Sequence, residues 1–329
     1  MKKTGLLILL LTAAAWAQDA SVASASSSNE TAAPQATAPA STTFPTERIQ
    51  MPTYADLYCA GFINKQILPN ANYVAGGLAT PNTTKFVTGD IVYLAGTGYS
   101  VGAQYTILRE LQDQNRYEVF PGQRRTLAAT GQPYGEIGRV RVVDTRSKMA
   151  IAQVEFSCDT MNPGDIAVPF AEKAAVSFHP PSRFDQFAPP SGKLTGRIVL
   201  ARDFDSVIGT GMKVYMNVGA NQGVKVGDYF RAVRSYEADL HDPVDSLSFM
   251  ASTAEDTQKS PPTIEGNWMT KTRTWGHHGP DIHVNDLPRR AVGELVIIGV
   301  TPTTSTGMIV FALEDVHVGD NVELDELQQ

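Results

Sequence analysis

The chain repeats itself, and the spacing of that repeat confines it to two copies of one β module. Ile137-Gly138 and Val292-Gly293 each open a β-rich stretch, and Gly164-Asp165 and Gly319-Asp320 follow them at the same distance. Upstream, Thr88-Gly89 leads into Val92-Tyr93-Leu94 as Thr210-Gly211 leads into Val214-Tyr215-Met216. Val101-Gly102 precedes Tyr105 as Val226-Gly227 precedes Phe230, and Ala60-Gly61-Phe62-Ile63 is matched with Thr195-Gly196-Arg197-Ile198. Correspondences that keep one order along a chain mark a duplicated unit. Each glycine falls where one predicted strand ends and the next begins, and tight turns there call for φ > 0 at no steric cost. In the Gly-Asp pairs the aspartate adds a side chain able to bond its own backbone. None of these glycines opens a helix after a strand, so they describe a turn scaffold and not a phosphate cradle.

From Met51 onward the pattern is β throughout. Short apolar or alternating runs are separated by Gly, Asn, Asp and Pro, and no long stretch has a 3.6-residue period. Arg139-Val140-Arg141-Val142 alternates cleanly, which predicts one buried and one wet face. Further predicted strands are Ile91 to Ala95, Tyr105 to Leu111, Met149 to Phe156, Lys213 to Val218, Tyr229 to Arg234, Glu294 to Val300 and Met308 to Ala312. The expected organisation is all-β, with module 1 at 51–170 and module 2 at 192–329. A proline-containing linker at 171–191, marked by His179-Pro180-Pro181 and Pro189-Pro190, joins them. Module 2 is interrupted by a long irregular insertion from Tyr236 to Arg290, and module 1 by a shorter one from Gln112 to Tyr134 at the equivalent place. Both excursions are expected on corresponding faces of a rigid scaffold, where binding usually sits.

The first residues predict export. Lys2 and Lys3 precede an apolar core at Leu6 to Leu11, and Ala15-Trp16-Ala17 offers the small residues a signal peptidase reads, so 1–17 is expected to be removed before Gln18. No cysteine follows the apolar core, which disfavours a lipid anchor, and no segment reaches the roughly 20 apolar residues of a spanning helix. The pattern is bacterial and points to the periplasm or the exterior, with peripheral attachment to the outer membrane or wall. Residues 18–50 are mostly Ala, Ser, Thr and Pro, the composition of a disordered tether. The formal charge is −7, and loss of the signal lysines makes the chain more acidic. That balance argues against nucleic acid and anionic lipid as electrostatic partners, since Arg124-Arg125 is too small a basic cluster to reverse it.

One family resemblance is carried by module 2. Gly196-Arg197-Ile198-Val199, then Asn217-Val218-Gly219-Ala220-Asn221-Gln222-Gly223-Val224-Lys225-Val226-Gly227-Asp228, then Val292-Gly293-Glu294-Leu295 and Val318-Gly319-Asp320 resemble the C-terminal domain of the flagellar assembly protein T family. Similar barrels accompany LysM domains in bacterial wall proteins. Module 1 fits more loosely, because it lacks the Asn-Gln-Gly-Val-Lys turn. The resemblance implies a tandem pair of small open β-barrels associated with the envelope, and it brings no catalytic residue with it.

Cys59 and Cys158 are the only cysteines, and an even count in an exported chain favours a disulfide, with two buried free thiols as the alternative. The long insertion holds His277, His278 and His283 with Asp281 nearby, residue types that ligate zinc. Adjacent histidines do not easily reach one ion, so the expectation is that no metal or other cofactor is bound. Trp268 and Trp275 flank the cluster and make a candidate binding loop for a sugar or a protein partner. Nucleophile elbows, Cys-His pairs and Gly-rich nucleotide loops are absent. The expected function is therefore non-catalytic: an envelope structural or interaction module with a protein partner. Peptidoglycan or glycan binding is the alternative, and a metal-dependent hydrolase in the insertion the third.

Overall fold

A computed structural model describes residues 49–113, 117–179, 184–235 and 286–325, and the backbone of 263–265 and 281–283. The predicted signal peptide and nearly all of the tether lie outside these residues. The described chain begins with α1 (Tyr54–Tyr58), followed by β1 (Phe62–Asn64), β2 (Tyr73–Gly77), β3 (Ile91–Ala95) and β4 (Gln104–Glu110). After α2 (Gln123–Thr130) come β5 (Gln132–Asp144), β6 (Ala150–Ser157) and β7 (Ile166–Pro169). The second half contains β8 (Thr195–Ala201), β9 (Val207–Ile208), β10 (Lys213–Met216) and β11 (Tyr229–Arg234). It continues through β12 (Thr263–Glu265), β13 (Asp281–His283), β14 (Arg290–Val300) and β15 (Ser305–Ala312), and ends with β16 (Val316–His317) and β17 (Asn321–Asp325).

Two antiparallel six-stranded barrels result. The first runs β5-β4-β7-β2-β3-β6 and closes where β6 pairs back onto β5, with β1 joined outside the ring to the start of β5. The second runs β14-β11-β17-β8-β10-β15 and closes in the same way. Replacing β2 to β7 by β8, β10, β11, β14, β15 and β17 converts one order into the other, so the duplication is a duplication of topology. Both rings are closed, where the family resemblance implied open ones.

Individual backbone bonds repeat as well. Gly102 donates to Val142 O and Gly227 to Ile297 O, while Gly89 donates to Val154 O and Gly211 to Ile309 O. The N–H of Val74 bonds Asp165 O and its carbonyl accepts from Gly164, as Ile198 bonds Asp320 and Gly319. Gly164 and Gly319, at φ 96° and 108°, are turns that need the left-handed region. One expected correspondence is corrected here. The partner of Thr195-Gly196-Arg197-Ile198 is the stretch leading to Val74 on β2, and Ala60 to Ile63 lies outside the ring. A glycine followed by apolar residues is common in β chains, and only the hydrogen-bond ladder separates the true equivalent from the look-alike.

Each barrel has its own apolar interior, centred on Val92, Ile107, Val140 and Val154 in the first and on Val214, Phe230, Leu295 and Ile309 in the second. Their outer faces differ. On β5, Val140 and Val142 are buried and Arg141 is exposed, as the alternation predicts. On β14 the burial runs through both faces, because Val296 and Ile298 point outward into a cluster with Met308, Val310 and Ala60, packed against Leu57. The positions equivalent to Val296, Met308 and Val310 in barrel 1 are Arg141, Gln153 and Glu155. There Arg141 Nε and Gln104 Nε2 each donate to Glu155 at 2.5 Å. Barrel 1 thus carries a polar outer face where barrel 2 carries a face for packing, the division seen between capping and inner repeats.

The segment 60–63 lies against that face with its carbonyls satisfied by barrel 2. Tyr215 Oη donates to Ala60 O at 3.0 Å, Thr306 Oγ1 to Gly61 O at 3.0 Å, and Thr304 Oγ1 to Ile63 O at 2.8 Å, all buried. Such bonds, together with the Lys213–Asp56 ion pair, make the two barrels one packed body. Helix α1 starts with a capping box, Thr53 Oγ1 accepting from Asp56 N while Asp56 accepts from Thr53 N. Both helices are too short for a 3.6-residue apolar period to show in the sequence.

Candidate functional site

The two excursions leave and re-enter their barrels at the same topological step, from β4 to β5 and from β11 to β14. Each is rooted by the same Arg–Asp clamp, part-buried in barrel 1 and buried in barrel 2. Arg109, at the end of β4, donates through Nε and Nη2 to Asp165 at 2.8 Å each, and through Nη2 to Thr160 O at 2.6 Å. Arg234, at the end of β11, donates through the same atoms to Asp320 at 3.0 and 2.8 Å, and to Asp315 O at 2.7 Å. The two aspartates also accept from the backbone N–H groups of Asn162 and His317, both at 2.7 Å. The Gly-Asp turn bond expected from the sequence is thus present twice. The arginine that completes it was missed, although Arg109 and Arg234 stand at equal distances after Gly102 and Gly227. The hydrogen bonds it donates to Asp165 push the Arg109 guanidinium above its ordinary pKa range.

A bidentate Arg–carboxylate pair fixes both direction and distance, so the chain leaves each barrel on a rigid root. Removing one partner strands a buried charge, which costs about 3–5 kcal/mol. Asp320→Ala is therefore expected to lower the unfolding free energy by about that much. Asp165→Ala should lose less, because the Arg109 side chain is 24% exposed against 6% for Arg234. Urea unfolding of the two variants side by side checks the order.

In barrel 1 the excursion is an arm that reaches barrel 2. Phe120, 1% exposed, belongs to the barrel 2 core cluster that includes Ile208, Val316 and Val318. It lies so close to Gly319 that a Cβ there would meet its ring at 3.0 Å. Arg197 lies over the same ring, 5.1 Å from its centroid. Gln123 locks the arm, its Nε2 donating to Val199 O at 3.1 Å and its Oε1 accepting from Val119 N at 2.8 Å.

Cys59 and Cys158 form the expected disulfide, which joins the end of α1 to the residue after β6. Under α1, Tyr54 and Tyr58 pack on Phe156 and Phe170 around the Arg139 guanidinium, which lies 4.8 Å from the Phe170 centroid and donates to Tyr54 Oη at 2.8 Å. The other predicted site residues are placed less fully. Trp268, Trp275, His277 and His278 lie outside the described residues. Asp281 and His283 are on β13, whose backbone pairs in parallel with β12 so that Asp281 stands opposite Thr263 and His283 opposite Glu265. Among the described residues no group of three His, Cys, Asp or Glu side chains could hold a metal ion, and no helix is long and apolar enough to cross a membrane.

One further group was not foreseen. Glu294 lies on the outer face of barrel 2, in a cross-strand row of Glu323, Arg231, Glu294 and Phe311. It is 7% exposed, and its Oε2 has no hydrogen-bond partner among the described residues. Burial pushes its carboxyl up to about 7, and nearby Asp325 adds to the shift against the pull of Arg231. The signal was a lone carboxylate opening the run Glu294 to Val300, which is otherwise apolar apart from Gly299.

In comparisons with known proteins, no family model matches this chain and no curated protein matches it.

Proposed function

We propose that this is a non-catalytic exported component of the bacterial envelope, whose two-barrel body presents residues 236–290 as a docking arm for another envelope protein. The observation that carries this reading is the behaviour of the equivalent arm in barrel 1, which is rooted by the same Arg–Asp clamp and plugs a neighbouring barrel through Phe120. The longer excursion leaves barrel 2 at the same step and includes Trp268 and Trp275, residue types that anchor interfaces. The resemblance of module 2 to the C-terminal domain of the flagellar assembly protein T family favours an assembly or surface-appendage component as that partner. Placement on a disulfide-clipped scaffold suits a chain that works outside the cytoplasm.

Crosslinking in cells and capture from the envelope fraction tests this, with a C-terminally tagged full chain beside a variant lacking 236–285, which keeps Arg289 and Arg290 in barrel 2. The expected result is one defined protein partner with the full chain and its loss with the deletion, whose thermal transition remains cooperative. Equal recovery by both chains would place the contact elsewhere on the body. Recovery of sacculus fragments alone would replace the reading with wall binding.

A further inference from the structure

The row beneath residues 184–191 is unbalanced in charge, and the imbalance falls on one group. Arg231 is paired with Asp325 at 2.5 Å, Arg289 with Glu323 at 2.5 Å, and Arg290 with Glu314 at 2.7 Å. Among the described residues these three arginines each answer to another carboxylate, and Glu294 is left over. Buried Nε atoms of Arg231 and Arg289 also lack hydrogen-bond partners among the described residues.

The segment 184–191 crosses this row and is bonded at both ends of it. Phe184 packs on Phe311 with ring centroids 5.0 Å apart, and Ser191 N donates to Glu323 at 3.2 Å. Between them Gln186 O accepts from Ala291 N at 2.7 Å, Gln186 Nε2 donates to Glu314 at 2.9 Å, and Ala188 O accepts from Arg289 at 3.3 Å. Arg231 and Glu294 are the middle members of the row, so they lie between the anchor points.

We propose that 184–191 is a pH-operated strap, closed over the outer face of barrel 2 while Glu294 is neutral and loosened when Glu294 ionises. A neutral carboxyl is tolerated under the strap, whereas a carboxylate whose only near cation among the described residues, Arg231, is already paired with Asp325 is not, and admitting water is the cheapest relief. Burial pushes the folded carboxyl up to about 7 from an ordinary 4.5. Closure is therefore fully supported below about pH 4.5 and loses that support as the pH rises through about 7. Asp325 and Arg231 act on it directly, and among the described residues the other charged or titratable groups on the elements of this face are Tyr229 and Glu323 from β11 and β17, Arg289 and Arg290 at the start of β14, and Glu314 after β15. From the linker side come Asp185 and His179, whose backbone N–H donates to Tyr229 Oη at 2.7 Å.

Amide hydrogen exchange of the segment 184–191 in the full chain tests the strap, at about pH 5.5 and about pH 8.5 with rates corrected for intrinsic chemistry. Opening is expected to rise roughly tenfold or more at the higher pH, since each unit of pKa difference is tenfold in the equilibrium. Glu294→Gln should abolish that rise, and Glu294→Leu provides a second neutral variant should the first fold poorly. His179→Asn should leave the rise intact. Equal protection of the wild-type strap at both pH values overturns the proposal. So does an unchanged rise in the neutral variants, or loss of the rise in His179→Asn.

Discussion

Phe120→Ala is expected to cost about 3–5 kcal/mol of unfolding free energy, the range for a fully buried aromatic truncated in a core that cannot collapse around the void. The site has little freedom to collapse. The ring is held between the backbone at Gly319 and the Arg197 guanidinium, and the arm that carries it is pinned by Gln123 to Val199 O. What distinguishes this residue from other core phenylalanines is its origin, since it belongs to the β4–β5 excursion of barrel 1 and fills the core of barrel 2. Loss of the ring should therefore weaken the coupling between barrels as well as the core it occupies. Guanidinium unfolding followed by tryptophan-independent probes, such as circular dichroism and cysteine-free fluorescence labels on each barrel, checks both. The expected outcome is a lower midpoint for both barrels, with barrel 2 losing more. A single unchanged transition would mean that Phe120 is an ornament on a core complete without it.

Replacing Cys59 and Cys158 together by alanine is expected to cost about 4–5 kcal/mol, from the loop entropy restored to the unfolded chain. The two cysteines are 99 residues apart in sequence, which places the effect near the upper end of what one crosslink delivers. The loss should also be visible in the native state. Cys59 follows α1, whose Tyr54 and Tyr58 cover Phe156 and Phe170, and whose Asp56 pairs with Lys213 of barrel 2. Freed from Cys158, this cover is held by side-chain packing and by Lys173, whose Nζ donates to Leu57 O at 2.7 Å. Urea unfolding of the double variant beside the oxidised wild type measures the loss. Proteolysis near Tyr54 at native conditions should rise with it. Equal stability of the two proteins would mean that the unfolded chain keeps these segments together without the bond.

Much of the scaffold is legible in the sequence because it rests on local chemistry. Ile91 to Ala95 and Tyr229 to Arg234 are strands residue for residue as the alternation predicts, since a barrel strand must turn every second side chain inward. Gly164-Asp165 and Gly319-Asp320 are turns because few other residues accept that backbone and cap it with their own side chain. With two cysteines only one pairing exists, and the sequence places it. The equivalent points of insertion follow from the repeat itself.

The outer faces are a different matter, and there only the tertiary structure decides. Arg141 and Val296 occupy the same place in the two barrels, and whether that place is wet depends on what packs against it. The answer lies in segment 60–63, more than two hundred residues from the wall it covers, and no local pattern carries it. The same holds for Phe120, an isolated aromatic in an irregular stretch until the fold brings Gly319 beneath it. It holds for Glu294 too, an ordinary carboxylate in the sequence that becomes a buried one through the elements around it. Sequence determines which side chains a barrel turns inward, because that choice is made every two residues along a strand. Which outward side chains then become interior is settled by long-range packing, and in this protein that packing joins the barrels and isolates Glu294.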